Sequence, residues 1–216
     1  RTEIWIAMGI FKWILRCYVK VDQGVALIIN KTGGKVEVTF SGGLVLPVIH
    51  RAELMDISVK TIEIDRRGKE GLICQDNIRA DIKVTFFVRV NKTQDSVLHV
   101  AQTIGCARAS KQETLEELFL AKFSEALKTV GKQMDFVDLY QQREQFRNRI
   151  LETIGHDLDG YELTDAAIDY LEQTPLVSLD EDNILDAQGI RKITELTALE
   201  RMNAKKIRRT QDKVIK

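Results

Sequence analysis

The chain has 216 residues, 44% hydrophobic and 30% charged, which is enough apolar side chain for a packed core and more charge than the usual quarter. Lysine plus arginine balances aspartate plus glutamate at 32 each, so no global field favours nucleic acid or an acidic substrate. Three scattered cysteines, Cys17, Cys74 and Cys106, with no C-x-x-C, argue against a disulfide framework or a zinc knuckle and suit a reducing compartment.

Ile4, Trp5, Ile6, Ile10, Phe11, Trp13, Ile14 and Leu15 make the first stretch strongly apolar, and Tyr18 follows it. Tryptophan and tyrosine favour the bilayer interface, because each ring is apolar with one polar edge. A full crossing needs about 20 apolar residues, and Lys12 interrupts this stretch. Residues 1–19 therefore read as the last turns of a membrane helix or an interfacial anchor. Lys12, Arg16 and Lys20 would reach headgroups on long apolar stems. An amphipathic helix packed on the domain is the alternative. No small-residue cleavage site follows, which argues against a signal peptide. The positive residues favour the cytoplasmic side for what comes next. The start at Arg1 and the stop inside a helical pattern lead us to expect further chain at both ends.

Residues 20–92 have the period of strands. Val25, Leu27 and Ile29 alternate, then Val36, Val38 and Phe40, with Gly33 and Gly34 between them for a hairpin turn. Ser41, Gly42 and Gly43 give a second turn signal. Met55, Ile57 and Val59 fall on odd positions but Ile62 and Ile64 on even ones, so a bulge or corner is expected near Thr61. Over residues 78–90, Ile78, Ala80, Ile82, Val84, Phe86, Val88 and Val90 share one face. Arg79, Asp81, Lys83, Thr85 and Arg89 share the other, which predicts a long strand with one buried and one wet face.

Residues 93–179 turn helical. Val97, Leu98, Ala101 and Ile104 share a face that ends at Gly105. Ser110 and Glu113 have the spacing of a capping box. Leu115, Leu118, Phe119, Phe123, Ala126, Leu127 and Val130 then follow helical spacing up to Gly131. Asp135 is placed to cap a third helix with Phe146, Ile150, Ile154 and Leu158 on its stripe. Asp159 and Gly160 mark a turn into an extended segment, which Pro175 breaks. In residues 180–216, Asp180, Glu181 and Asp182 precede a long charged helix and suit its positive end. Ile190, Ile193, Leu196, Leu199 and Met202 form a thin apolar stripe on it. Such a stripe expects partner helices, and those five residues are the candidate oligomer interface.

This order resembles the stomatin–prohibitin–flotillin (SPFH, band 7) superfamily, and flotillin-like bacterial members in particular. The resemblance rests on the Ser41, Gly42, Gly43 turn with its apolar run to Pro47 and His50, and on the long strand from Arg79 to Val90. It rests also on Ala101, Gln102, Thr103, Ile104 and Gly105, on Lys122, Phe123, Ala126 and Leu127, and on Asp186, Ala187, Gln188 and Gly189. The fold expected is α+β: an N-terminal membrane segment, an SPFH domain with a β-rich and an α/β part, then a long C-terminal helix. The resemblance implies a membrane scaffold at a bacterial inner membrane, and the positive residues after the apolar stretch favour the cytoplasmic side for the soluble part. It further implies a large homo-oligomeric ring or cage that organises membrane microdomains, membrane lipids as partners, and a small NfeD-type membrane protein as a possible partner. An accessory subunit steering a membrane protease is the second reading.

Leu44, Val45 and Leu46 open an apolar run to Ile49 that either dips into headgroups or forms a core strand with an edge proline; the residues alone leave both open. Lys205, Lys206, Arg208 and Arg209 could bind nucleic acid or anionic lipid, but they lack interleaved aromatics, and a solvated or inter-helix charged face is preferred. No catalytic motif occurs, and His50, His99 and His156 have no cysteine or histidine at ligand spacing. No enzyme activity, cofactor or metal is therefore expected, and Cys106 is read as a buried thiol.

Overall fold

The computed structural model describes residues 17–214, so the expected membrane residues from Ile4 to Leu15 lie outside the described residues. Among the described residues no helix is long and apolar enough to cross a membrane. The chain divides into two compact units. The first takes its described residues from Arg1–Ile62, Phe86–Ala121 and Gly155–Asp165, the second from Glu63–Thr85, Lys122–Ile154 and Ala166–Lys216.

The first unit contains β1 (Tyr18–Lys20), β2 (Val25–Asn30), β3 (Val36–Thr39), β4 (Gly42–Leu44) and β5 (Arg51–Asp56). The expected hairpin forms, and β2 lies at the centre of an antiparallel sheet in the order β3-β2-β5. Its turn runs through Gly33 and Gly34 at φ +88° and +78°, a conformation that favours glycine. The expected alternation fails in β2: Ala26, Leu27, Ile28 and Ile29 are all buried. A central strand covered on both faces has no wet side, and these residues offer none. Gly42 and Gly43 are not turn residues but open β4, which pairs antiparallel with β1. The corner between β5 and β6 (Lys60–Arg66) falls at residues 57–59, just ahead of Thr61. There the Ile57 amide donates to Gly24 O at 2.8 Å. This restores the core face, with Met55, Ile57, Ile62 and Ile64 buried.

Helix α1 (Gln94–Thr103) is capped by Thr93, whose hydroxyl accepts from the Ser96 amide at 3.2 Å, and it packs on β3. Its buried face centres on Val97 and Val100, while Leu98, Ala101 and Ile104 are half-buried. A single-turn helix α2 (Cys106–Ala109) was not legible in the sequence; it packs on β5. Ser110 ends α2 rather than opening a capping box. Its hydroxyl donates to Cys106 O at 2.7 Å and accepts from the Asp56 amide at 3.0 Å. The hairpin of β9 (Asp157–Leu158) with β10 (Tyr161–Gln173) turns on Asp159 and Gly160, both at positive φ.

A five-stranded sheet has the order β6-β8-β10-β9, with β7 (Leu72–Ile73) also pairing β8 (Arg79–Val90). β6, β8, β10 and α3 (Gln112–Gly131) each contribute residues to both units. On α3 the expected stripe is buried except Leu118, which is exposed. The third expected helix splits at Gln142 into α4 (Phe136–Gln141) and α5 (Arg143–Ile154); Phe146, Ile150, Ile154 and Leu158 are buried. The long helix is α6 (Ile184–Val214).

The second face of β8 is not wet. Arg79, Asp81 and Thr85 are buried, and Lys83, Phe87 and Arg89 are half-buried. In the second unit the Asp81 carboxylate accepts from the Gly68 amide at 2.8 Å and from the Thr174 hydroxyl at 2.5 Å. The Thr85 hydroxyl donates to Asp169 at 2.6 Å. Burial of these groups is tolerated because each has a partner.

Candidate functional site

Two surfaces carry the expected sites. The first is built on β1 and β4, whose register places Tyr18 opposite Leu44, Val19 opposite Gly43 and Lys20 opposite Gly42. Gly42 has φ +139°, and a Cβ there would stand 2.6 Å from Val19 O. A Cβ on Gly43 would meet the Ile29 side chain at 2.7 Å. The glycine pair thus serves close approach.

After Leu44 the chain leaves the strand pair but keeps its polar backbone groups bonded. The Val45 amide donates to Cys17 O at 2.8 Å. The Ile49 and His50 amides donate to Leu46 O at 3.1 and 2.8 Å, closing a turn with Pro47 at its second position. The Leu46 amide donates to His50 Nδ1 at 3.3 Å, and the Thr32 hydroxyl donates to Ile49 O at 3.1 Å. A backbone held this way presents its side chains outward. Leu44 is 41% exposed, Val48 88% and Ile49 53%, with Val45 and Leu46 half-buried and Tyr18 half-exposed beside them.

Residues 44–49 are therefore not a core strand, since a core strand would bury its alternate side chains. Each large aliphatic left in water forgoes about 1.5–3 kcal/mol of burial. Several together make an exposed apolar patch, a kind of surface that commonly serves binding. The apolar run to Ile49 is legible in the sequence, but of its residues Leu44, Val45 and Leu46 are the expected contacts, whereas Val48 and Ile49 stand out furthest. Pro47 was the available signal, because it sets a turn that throws the following residues outward.

The second surface is α6. Asn183 caps it, accepting from the Leu185 and Asp186 amides at 3.0 and 3.4 Å. Of the five candidate interface residues, Ile193 is buried and Ile190 and Leu196 are half-buried, so this part of the stripe is already packed. Leu199 and Met202 are 54% and 69% exposed, and Ile207 beyond them is exposed too. Lys205, Lys206, Arg208 and Arg209 are exposed around it. Among the described residues, the apolar stripe of α6 is thus left exposed on its later half.

A family model described as "SPFH domain / Band 7 family" matches residues 19–213. "Flotillin family inner membrane protein YqiK" of Escherichia coli (strain K12) is 30% identical over 184 residues, covering 84% of this chain and 33% of its own length. "Flotillin family inner membrane protein sll1021" of Synechocystis sp. is 28% identical over 189 residues, covering 83% of this chain and 27% of its own length. The chain spans a third or less of the length of these curated relatives.

Proposed function

The chain belongs to the SPFH domain / Band 7 family, and on that premise we propose that it is the membrane-proximal part of a flotillin-like scaffold that organises lipids and membrane proteins without chemistry of its own. The observation that carries this is the exposed apolar turn at residues 44–49, which is tied through β4 to Tyr18. Tyr18 lies three residues beyond Leu15, the end of the apolar, tryptophan-bearing stretch. An apolar segment and an apolar turn joined to it by a strand pair suit an anchor that enters the headgroup layer. Both relatives are named as inner membrane proteins, which supports the same membrane for this chain.

Assembly is the second half of the proposal. Leu199, Met202 and Ile207 would meet a neighbouring copy, and rings close only when one face meets a different face. Membrane lipids are the primary partner, and an NfeD-type membrane protein is a candidate second one.

Cosedimentation of the full chain with lipid vesicles tests the anchor. Val48→Asp combined with Ile49→Asp is expected to weaken vesicle binding about tenfold or more. The melting temperature should stay unchanged, because both side chains face water. Unchanged vesicle binding by the folded variant would remove the turn from the anchor. Electron microscopy of detergent-extracted protein tests the assembly. Closed rings or domes are expected; monomers that copurify with another membrane protein in fixed ratio would instead favour an accessory subunit.

A further inference from the structure

The second unit contains a cleft of about 270 Å³ lined by Arg66, Lys69, Arg79, Lys128 and Lys132 against a single carboxylate, Glu70. Two backbone features bring these charges together. Gly131 lies over β7, where a Cβ would stand 2.8 Å from the Leu72 side chain. That close approach sets the end of α3, with Lys128 and Lys132 one turn apart, along the cleft. From the other side, the 3-10 turn Gly68–Glu70 carries Lys69. It is held by Arg79 Nη1, which donates to Lys69 O at 2.6 Å.

The positive charges are only partly matched. Arg79 is compensated by Asp186 at 2.6 Å, and Arg66 faces Glu70 at 3.6 Å. Lys69 and Lys128 have no carboxylate within ion-pair distance among the described residues. Lys132 is held only by neutral acceptors, Cys74 O at 3.2 Å and Asn77 Oδ1 at 2.9 Å. Lys128 and Lys132 offset part of the negative end of the α3 dipole, whereas Lys69 has no such role. Arg66 also lines the cleft. Its Nη2 donates to the Ser124 hydroxyl, but its Nε–H is buried with no acceptor among the described residues. Buried donors are rarely left unpaired, and like charges gathered around a concavity raise the local concentration of counter-ions.

We propose that this cleft binds a phosphate group, either as inorganic phosphate or as a phosphomonoester headgroup. Lys69, Lys128 and Lys132, none of them ion-paired among the described residues, match a tetrahedral dianion with several acceptor oxygens better than a carboxylate with one charge and two oxygens. The cleft is smaller than the roughly 300–1,000 Å³ of sites that enclose drug-sized ligands, so it suits a headgroup and not a whole nucleotide.

The test uses the full chain in two arms: calorimetric titration with inorganic phosphate at constant ionic strength, and cosedimentation with phosphatidylcholine vesicles with and without phosphatidic acid. Saturable binding near one phosphate per chain is expected in the first arm, in the second, or in both. The arm that responds identifies the source of the phosphate. Lys69→Gln with Lys128→Gln should weaken that binding about tenfold or more. Lys205→Gln with Lys206→Gln, the same charge change on α6, should leave it unaltered. Absence of saturable binding in both arms overturns the proposal. So does equal weakening by the two lysine pairs, or full binding by the Lys69/Lys128 variant.

Discussion

Buried at the first turn of α6, the Asp186 carboxylate accepts from Arg79 Nη2 at 2.6 Å, from Arg79 Nε at 3.1 Å and from the Asp180 amide at 3.2 Å. Burial by itself would raise its pKa. The Arg79 and Asp180 hydrogen bonds, with the positive charge of Arg79, outweigh that and hold it below the usual carboxylate value. A carboxyl depressed in the folded state stabilises the fold above its unfolded pKa of about 3.9. That contribution is lost as pH falls through the lower folded value. Asp186→Asn is therefore expected to destabilise the protein at pH 7 by about 3 kcal/mol, because it leaves the Arg79 charge buried and unpaired. The same change should flatten the acid limb of stability below about pH 4. Denaturant titrations of both proteins at pH 7 and pH 3 measure each effect; an equal stability gap at the two pH values would refute the coupling. At this scale the thiols are quiet. Burial, then the charge of Asp76, pushes Cys74 up to about 12, and burial with Glu53 raises Cys106 to about 11, so both stay protonated at neutral pH.

Gly189 sets how closely α6 lies on the turn at Asn77. A Cβ at this position would stand 2.5 Å from Asn77 O and 3.6 Å from Ile78 Cα, and the neighbouring Gln188 accepts from Asn77 Nδ2 at 2.7 Å. In a free helix, replacing glycine by alanine stabilises by about 1 kcal/mol. Here the obstacle is backbone, which cannot swing aside as a flexible side chain can. Gly189→Ala is expected to lower stability by about 1–3 kcal/mol despite the gain in helix propensity. Thermal unfolding followed by circular dichroism decides it, and a raised melting temperature would show that the contact relaxes freely. Gly189 lies in a sequence context that reads only as an interruption of a helix. Its contact with Asn77, more than a hundred residues away, is invisible there.

For the whole molecule, the question is which apolar surface the fold consumes and which it leaves for others. Leu199 and Met202 remain in water while Ile193 on the same stripe is buried. Leu199→Glu with Met202→Glu is expected to leave unfolding free energy within about 0.5 kcal/mol of the parent, as for exposed sites in general. The same variant should shift sedimentation velocity toward smaller species. An unchanged sedimentation profile would show that the later half of α6 does not carry assembly.

Much of this was legible in the sequence. The period-two runs, the Asn30 to Gly34 hairpin, the Asp159 and Gly160 turn and the helical stripe through Phe119, Phe123 and Leu127 each follow from local spacing and turn chemistry. The order of these elements, with the apolar stretch ahead of them, was enough to point to the family. Other features depended on what lies across from each element. Spacing cannot show that β2 is covered on both faces, that the polar side of β8 forms bonded pairs with Thr174, Asp169 and Asp186, or that Gln142 breaks a helix. The run from Leu44 to Ile49 is apolar in either setting, and only the closed turn on Leu46 O shows that its side chains face outward. Periodicity records which residues share a face, whereas burial of that face depends on distant partners brought close by the tertiary fold.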